Sequence, residues 1–123
     1  MNDITGLYDL YEDARTPIFQ ITITAVATNG DISATFSERQ HSRTLYGQYN
    51  DPAQQIVFTK HPPSNRAFLP IDYYAGRVVF DANGSPIFMY GLHHSVYSDP
   101  SDPRRASYGP VTSWAANFQG KPI

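Results

Sequence analysis

Two adjacent histidines, His93 and His94, sit inside "IFMYGLHHSVYSDPSDPRR". Paired imidazoles can ligate a metal or exchange protons near neutral pH. Which of these is possible depends on the backbone beneath them. The segment alternates like a strand, and successive side chains on a strand point to opposite faces. His94 shares its parity with Phe88, Tyr90, Leu92 and Val96, and His93 shares its parity with Met89, Gly91, Ser95 and Tyr97. The His-x-His spacing that would bring two imidazoles to one face is missing, so no metal site is expected. Each histidine acts alone. One faces an interior, where it orients a ligand, works as acid or base, or is satisfied by tyrosine and main-chain partners. The other faces solvent or a neighbouring subunit.

The remaining candidates are carboxylates and a basic pair. Asp9, Glu38 and Asp72 fall within or at the ends of strand-like segments. Facing an interior they would have raised pKa values and general acid or base capacity; facing outward they are solubility charges. Arg104 and Arg105 lie beside Asp99 and Asp102, either as a solvated loop or as a site for phosphate or carboxylate. No Gly-rich phosphate loop, nucleophile elbow or metalloprotease motif is present. No cofactor is implied.

The elements that would hold these residues are strands. In "IFQITITAV", Phe19, Ile21, Ile23 and Ala25 share one parity and Gln20, Thr22 and Thr24 the other. Asn29-Gly30 and "DANG" are hairpin signals, since Asn and Gly both tolerate positive φ. With "ITGLYDLY", "DISATFSE", "RTLYGQY", "QQIVFTK", "IDYYAGRVVF", "SPIFMYGLHHSVY" and "SYGPVTSWAANF", the count is eight strands, with no sustained helical period. Short links favour an all-β, antiparallel, up-and-down barrel, wide enough to be packed or to hold one small ligand. Two longer links, His61 to Pro70 and Ser98 to Ala106, read as rim loops or lids, or as plain surface connections.

The chain has 123 residues and reads as a single domain over 1–123. Its formal net charge of -2 gives no reason to expect nucleic acid or an anionic membrane as partner. It has no cysteine, hence no disulfide and no thiolate chemistry. No apolar run is long enough to span a bilayer. "MNDITGLYDLYEDART" shows no signal-peptide pattern, so the expectation is a cytoplasmic protein or a mature secreted form. The sixth and seventh strands are apolar on both parities, which points to a covered outer wall and a homo-oligomer, dimer or tetramer.

The order of motifs resembles the avidin and streptavidin family. "ITG-LY" opens the chain, "FQITITAVATNGDISATFSE" is similar to the family's second and third strands, and "RTLYGQYND" to its fourth. "TKHPPSNRA" resembles the following loop, and "DYYAGRVV" the Gly-containing sixth strand. The resemblance implies an eight-stranded barrel with a small ligand, biotin in the family, at its open end. It places Phe36 at a ligand-binding tyrosine position, Glu38 at a serine, Asp72 at a threonine and Tyr74 at a tryptophan. Tyr108 falls where a neighbouring subunit lends a tryptophan, and Ala116 or Asn117 where an aspartate faces the ligand. The asparagine and serine after the first strand find only Leu10 to Ala14. Wrong polar complements strand buried groups at about 1–3 kcal/mol each, so the expected ligand is largely apolar and is a different or altered one rather than biotin, with biotin kept as the family alternative. The expected site is Phe36, Glu38, Asp72, Tyr74, His93, His94, Tyr108, Trp114 and Asn117. The alternatives are a cavity enzyme, a cyclase or isomerase that folds a flexible substrate, and a lectin-like oligomeric recognition protein.

Overall fold

A computed structural model describes residues 2–12, 19–38, 41–61, 71–99 and 102–121. The strands are β1 (Gly6–Glu12), β2 (Phe19–Val26), β3 (Asp31–Glu38), β4 (His41–Asn50) and β5 (Gln55–Lys60). They continue as β6 (Ile71–Phe80), β7 (Pro86–Asp99), β8 (Asp102–Tyr108) and β9 (Thr112–Gly120). All pairings are antiparallel, in the order β6-β5-β4-β3-β2-β1-β9-β7, and β6–β7 pairing closes the ring. This is the expected closed eight-stranded up-and-down barrel. Among the described residues no helix is long and apolar enough to cross a membrane.

Alternation sets which side chains go inside. Tyr8 and Leu10 of β1, Phe19, Ile21 and Ile23 of β2, and Ile32, Ala34 and Phe36 of β3 are buried. So are Tyr74 and Val78 of β6, Met89 of β7, and Trp114 and Ala116 of β9. Their partners one residue away face outward. At one end the turns are tight and Ile4 is fully buried, with its carbonyl accepting the Tyr8 hydroxyl at 2.6 Å. That stoppers the end with short turns. The opposite end is where β1 finishes at Glu12, β2 begins at Phe19, β5 finishes at Lys60 and β6 begins at Ile71, next to Asp72.

Both hairpins form, though with a different turn than Asn29-Gly30 suggests. Ala27 N donates to Asp31 O at 2.8 Å, and Gly30 takes φ 95° while Asn29 stays at negative φ. A wider turn ending in one left-handed glycine therefore replaces the two-residue form. The "DANG" turn is built the same way, with Asp81 N bonded to Ser85 O and Gly84 at φ 81°.

Two expectations change at the C-terminal end. The described part of the segment from Ser98 to Ala106 is strand rather than rim loop: β7 runs on to Asp99 and β8 begins at Asp102, the two pairing from Val96↔Tyr108 to Asp99↔Asp102. The eighth strand is also not continuous. Its two parts, β8 and β9, pair in turn with the far and near portions of β7. They are separated at Gly109–Val111, where Pro110 has no N–H to continue a ladder. The other long link falls at 62–70, outside the described residues.

Candidate functional site

Three adjacent strands bring polar side chains into the barrel at the end opposite Ile4. Antiparallel register sets Asp72 opposite Ser95, Tyr74 opposite His93, and His93 opposite Thr112. All five share the inward parity. His93 is the one polar residue buried among the described core, at 9% exposure. Its Nδ1 lies 3.1 Å from Thr112 Oγ1, and its Nε2 lies 3.4 Å from Asp72 Oδ1 and 3.7 Å from Glu12 Oε1. Ser95 Oγ donates to Asp72 Oδ1 at 2.5 Å, and the Tyr74 hydroxyl donates to Glu12 Oε1 at 2.7 Å. Lys60 Nζ stands 3.6 Å from Asp72 Oδ2 and 4.4 Å from the centre of the Phe19 ring. Two carboxylates, a lysine and an imidazole thus converge on one wall.

The electrostatics favour an ionised Asp72. Burial alone would raise its pKa, but hydrogen bonds from His93 and Ser95, with the charge of Lys60, outweigh burial and hold it below the ordinary carboxylate value. The carboxylates also select the imidazole tautomer. With both facing Nε2, a singly protonated ring carries its hydrogen there and leaves the Nδ1 lone pair toward Thr112.

Beneath the polar wall lies an aromatic floor. Phe58 and Tyr74 stack at 4.7 Å and 12°, and Tyr74 stacks on His93 at 4.6 Å and 28°. Trp114 meets both Phe58 and Tyr74 edge-on, at 5.3 and 5.8 Å. Phe19 sits edge-on to Phe36 and Tyr74. Gly76 makes room for the indole: a Cβ there would lie 2.9 Å from Trp114 Cζ2 and 2.0 Å from Tyr90 O. The indole N–H is shared between the carbonyls of Ala75 and Leu92, at 3.2 and 3.1 Å. Trp114 therefore offers a ring surface rather than a donor.

No family model matches the chain, and no curated protein does. Eight chains of solved structures match. Among them, the structure of apo shwanavidin aligns with a TM-score of 0.59 at 15% identity, covering 94% of this chain and 97% of that chain. The chain has an avidin-like fold.

Within this avidin-like barrel the expected site residues divide by parity. Phe36, Asp72, Tyr74, His93 and Trp114 face inward and belong to one cluster. His94 and Asn117 lie on the outward parity, His94 stacked on Tyr73 at 5.4 Å and Asn117 exposed. Asp9 is also outward, accepting from Gln20 Nε2. Glu38 ends β3 opposite His41, and Tyr108 ends β8 opposite Val96. The side chains of Glu38, Tyr108, Arg104 and Arg105 lie outside the described residues. The histidine pair splits across the wall as strand geometry requires.

Sequence reasoning missed Glu12, Lys60, Ser95 and Thr112. Two had a readable signal: Glu12 continues the parity of Tyr8 and Leu10, and Ser95 that of His93. Thr112 and Lys60 needed the strand register, which no local pattern supplies.

Proposed function

We propose that the protein binds a small, largely apolar molecule at the end of the barrel lined by Glu12, Lys60, Asp72 and His93, and that this ligand is not biotin. The observation that carries the reading is an aromatic floor under a converging polar wall, the composition of small-molecule sites. The Glu12, Asp72 and Lys60 side chains keep 26%, 17% and 16% of their surface exposed, which supports access from water. Phe36 and Asp72 at the positions that resemble biotin-contacting ones support a changed ligand. Native mass spectrometry of freshly purified protein tests binding, and a retained small molecule is expected. An empty barrel that converts added polyenes would replace the binder with a cyclase. Calorimetry with biotin tests the second clause: no heat is expected, and micromolar or tighter binding overturns it.

Self-association belongs to the same reading. The outward face of β4 to β7 carries Tyr46, Val57 and Leu92, which are 57%, 50% and 60% exposed. They border an apolar groove of about 740 Å³ together with Tyr73, His94 and Val111. A patch of this kind on a closed barrel fits a second copy of the chain. Sedimentation is expected to give a dimer or tetramer that Leu92→Glu converts to monomer. A wild-type monomer at micromolar concentration would remove this part of the proposal.

A further inference from the structure

Thr112, His93 and Asp72 form a continuous chain of contacts: hydroxyl to imidazole at 3.1 Å, imidazole to carboxylate at 3.4 Å. This is the order of groups that activates a hydroxyl nucleophile, with the base oriented by a third residue. Each member is delivered by a different strand, β9, β7 and β6, so the arrangement is held by barrel register rather than by a loop. Glu12, 3.7 Å from Nε2, is a second carboxylate on the orienting side. Together the carboxylates keep the N–H on Nε2 and the lone pair on the Thr112 side. The stack of Tyr74 on His93 fixes the ring plane. Thr112 is the inward neighbour of Trp114 on β9, so its hydroxyl borders the aromatic floor.

We propose that Thr112 is an acyl-accepting nucleophile, with His93 as its general base and Asp72 as the positioning residue, acting on carboxylic esters whose apolar part rests on the aromatic floor. The proposal rests on the ligand reading above, since the ester must enter the same end of the barrel. Thr112 Oγ1 attacks the ester carbonyl carbon and its proton passes to His93 Nδ1. The tetrahedral adduct collapses, the carbon–alkoxy oxygen bond breaks, and the alcohol leaves with that proton. Water then attacks the acyl-threonine and gives a proton to Nδ1. The Thr112 oxygen leaves as the hydroxyl, carrying that proton back, and a carboxylic acid is released. No oxidant or metal enters the balance.

The test uses the full chain with p-nitrophenyl butyrate. Release of p-nitrophenolate is expected, with a transient mass increase of one butyryl group that peptide mapping assigns to Thr112. His93→Gln and the near-isosteric Thr112→Val are expected to lower the rate at least about a hundredfold, the lower end of the range removed with a general base. Thr112→Ser retains activity, and Ser113→Ala, on the outward parity, leaves it unchanged. Acylation elsewhere, or an unchanged rate in Thr112→Val, overturns the proposal. Circular dichroism of each variant separates lost chemistry from lost fold, and the serine variant keeps the test decisive if the valine variant unfolds. The unreactive p-nitrophenyl butyl ether, followed by Trp114 quenching, separates this proposal from the ligand reading. Ether binding without turnover sinks the nucleophile alone. Thr112-dependent turnover without ether binding upholds the nucleophile and sinks the equilibrium ligand site. Absence of both sinks both.

Discussion

Strands β6 and β7 carry two tyrosine–histidine stacks, one residue apart and on opposite sides of the barrel wall. Inside, Tyr74 stacks on His93 at 4.6 Å; outside, Tyr73 stacks on His94 at 5.4 Å. The residue types, the strands and the cross-strand register are the same. What differs is the surroundings. The inner tyrosine is 1% exposed and its hydroxyl is fixed on Glu12, while the inner histidine has an acceptor or hydroxyl at each nitrogen. The outer tyrosine is 38% exposed and borders an apolar groove. Hydrogen bonds gain strength and cost more to lose where water is excluded. One motif thus lies in a buried polar cluster on one face and beside an apolar groove on the other.

The largest break in that symmetry is expected from truncating each tyrosine. Tyr74→Ala opens a cavity among Phe58, Phe19 and Trp114 and should cost about 3–5 kcal/mol in urea denaturation. Tyr73→Ala should cost about 0.5 kcal/mol or less in the monomer, its effect appearing instead in self-association. Equal losses at the two positions would show that the outer face is as much a part of the folded core as the inner.

A somewhat smaller effect is expected where both stacks share their support. Gly91 faces Gly76 across β6–β7, and a Cβ on Gly91 would fall 1.9 Å from Ala75 O and 2.6 Å from Gly76 Cα. Those are backbone atoms that cannot turn aside. Gly91→Ala is expected to cost about 1–3 kcal/mol through overpacking and to weaken both faces together. A neutral result in thermal denaturation would mean that the closing strands separate freely.

How far the sequence revealed this arrangement follows from the same two strands. Clear alternation in Phe19, Ile21 and Ile23, and two turn signals, made the barrel legible. The split of His93 from His94 was legible too, because strand parity needs no tertiary information. The inward side was not, because Tyr74 and Val78 are matched on the other parity by Tyr73, Ala75 and Val79. A wall apolar on both faces carries no sign of direction. The β7–β8 extension was hidden for a different reason: Ser-Asp-Pro repeats resemble turn chemistry, and only the pairing of Val96 to Asp99 with β8 makes Ser98, Asp99, Asp102 and Pro103 strand. The site was half visible, since its aromatic and histidine members lie on strands with a strong pattern. Thr112 and Lys60 enter only through register with β7 and β6.

Acid titration sharpens the inner half. Asp72 has a folded-state pKa below its ordinary value of 3.8, because hydrogen bonds and Lys60 outweigh burial. A lowered carboxylate pKa gives stability that is fully present above the unfolded value and is lost as pH falls through the folded one. Asp72→Asn should therefore unfold with a shallower dependence on pH below about 4, and be less stable at neutral pH by about 1–3 kcal/mol. Parallel acid limbs for the two proteins would place the charge of Asp72 in water.

The smallest effect is expected at an ion pair with no such shelter. Lys121 Nζ donates to Asp3 Oδ2 at 2.7 Å, tying the residues before β1 to those after β9, with the two side chains 55% and 64% exposed. The Lys121 bond, helped by the Thr5 hydroxyl and main-chain N–H, lowers the Asp3 pKa to about 2. Geometry here is better than at Lys60–Asp72, where the separation is 3.6 Å but the side chains are only 16% and 17% exposed. If distance governed, the outer pair would be the stronger. If exclusion of water governs, the outer coupling in a double-mutant cycle should stay below about 1 kcal/mol and vanish near molar salt, where screening acts over about 3 Å. The inner coupling should survive that salt. An inner pair as salt-sensitive as the outer would make the site as wet as the surface, and the contrast between the two tyrosine–histidine stacks would then rest on packing alone.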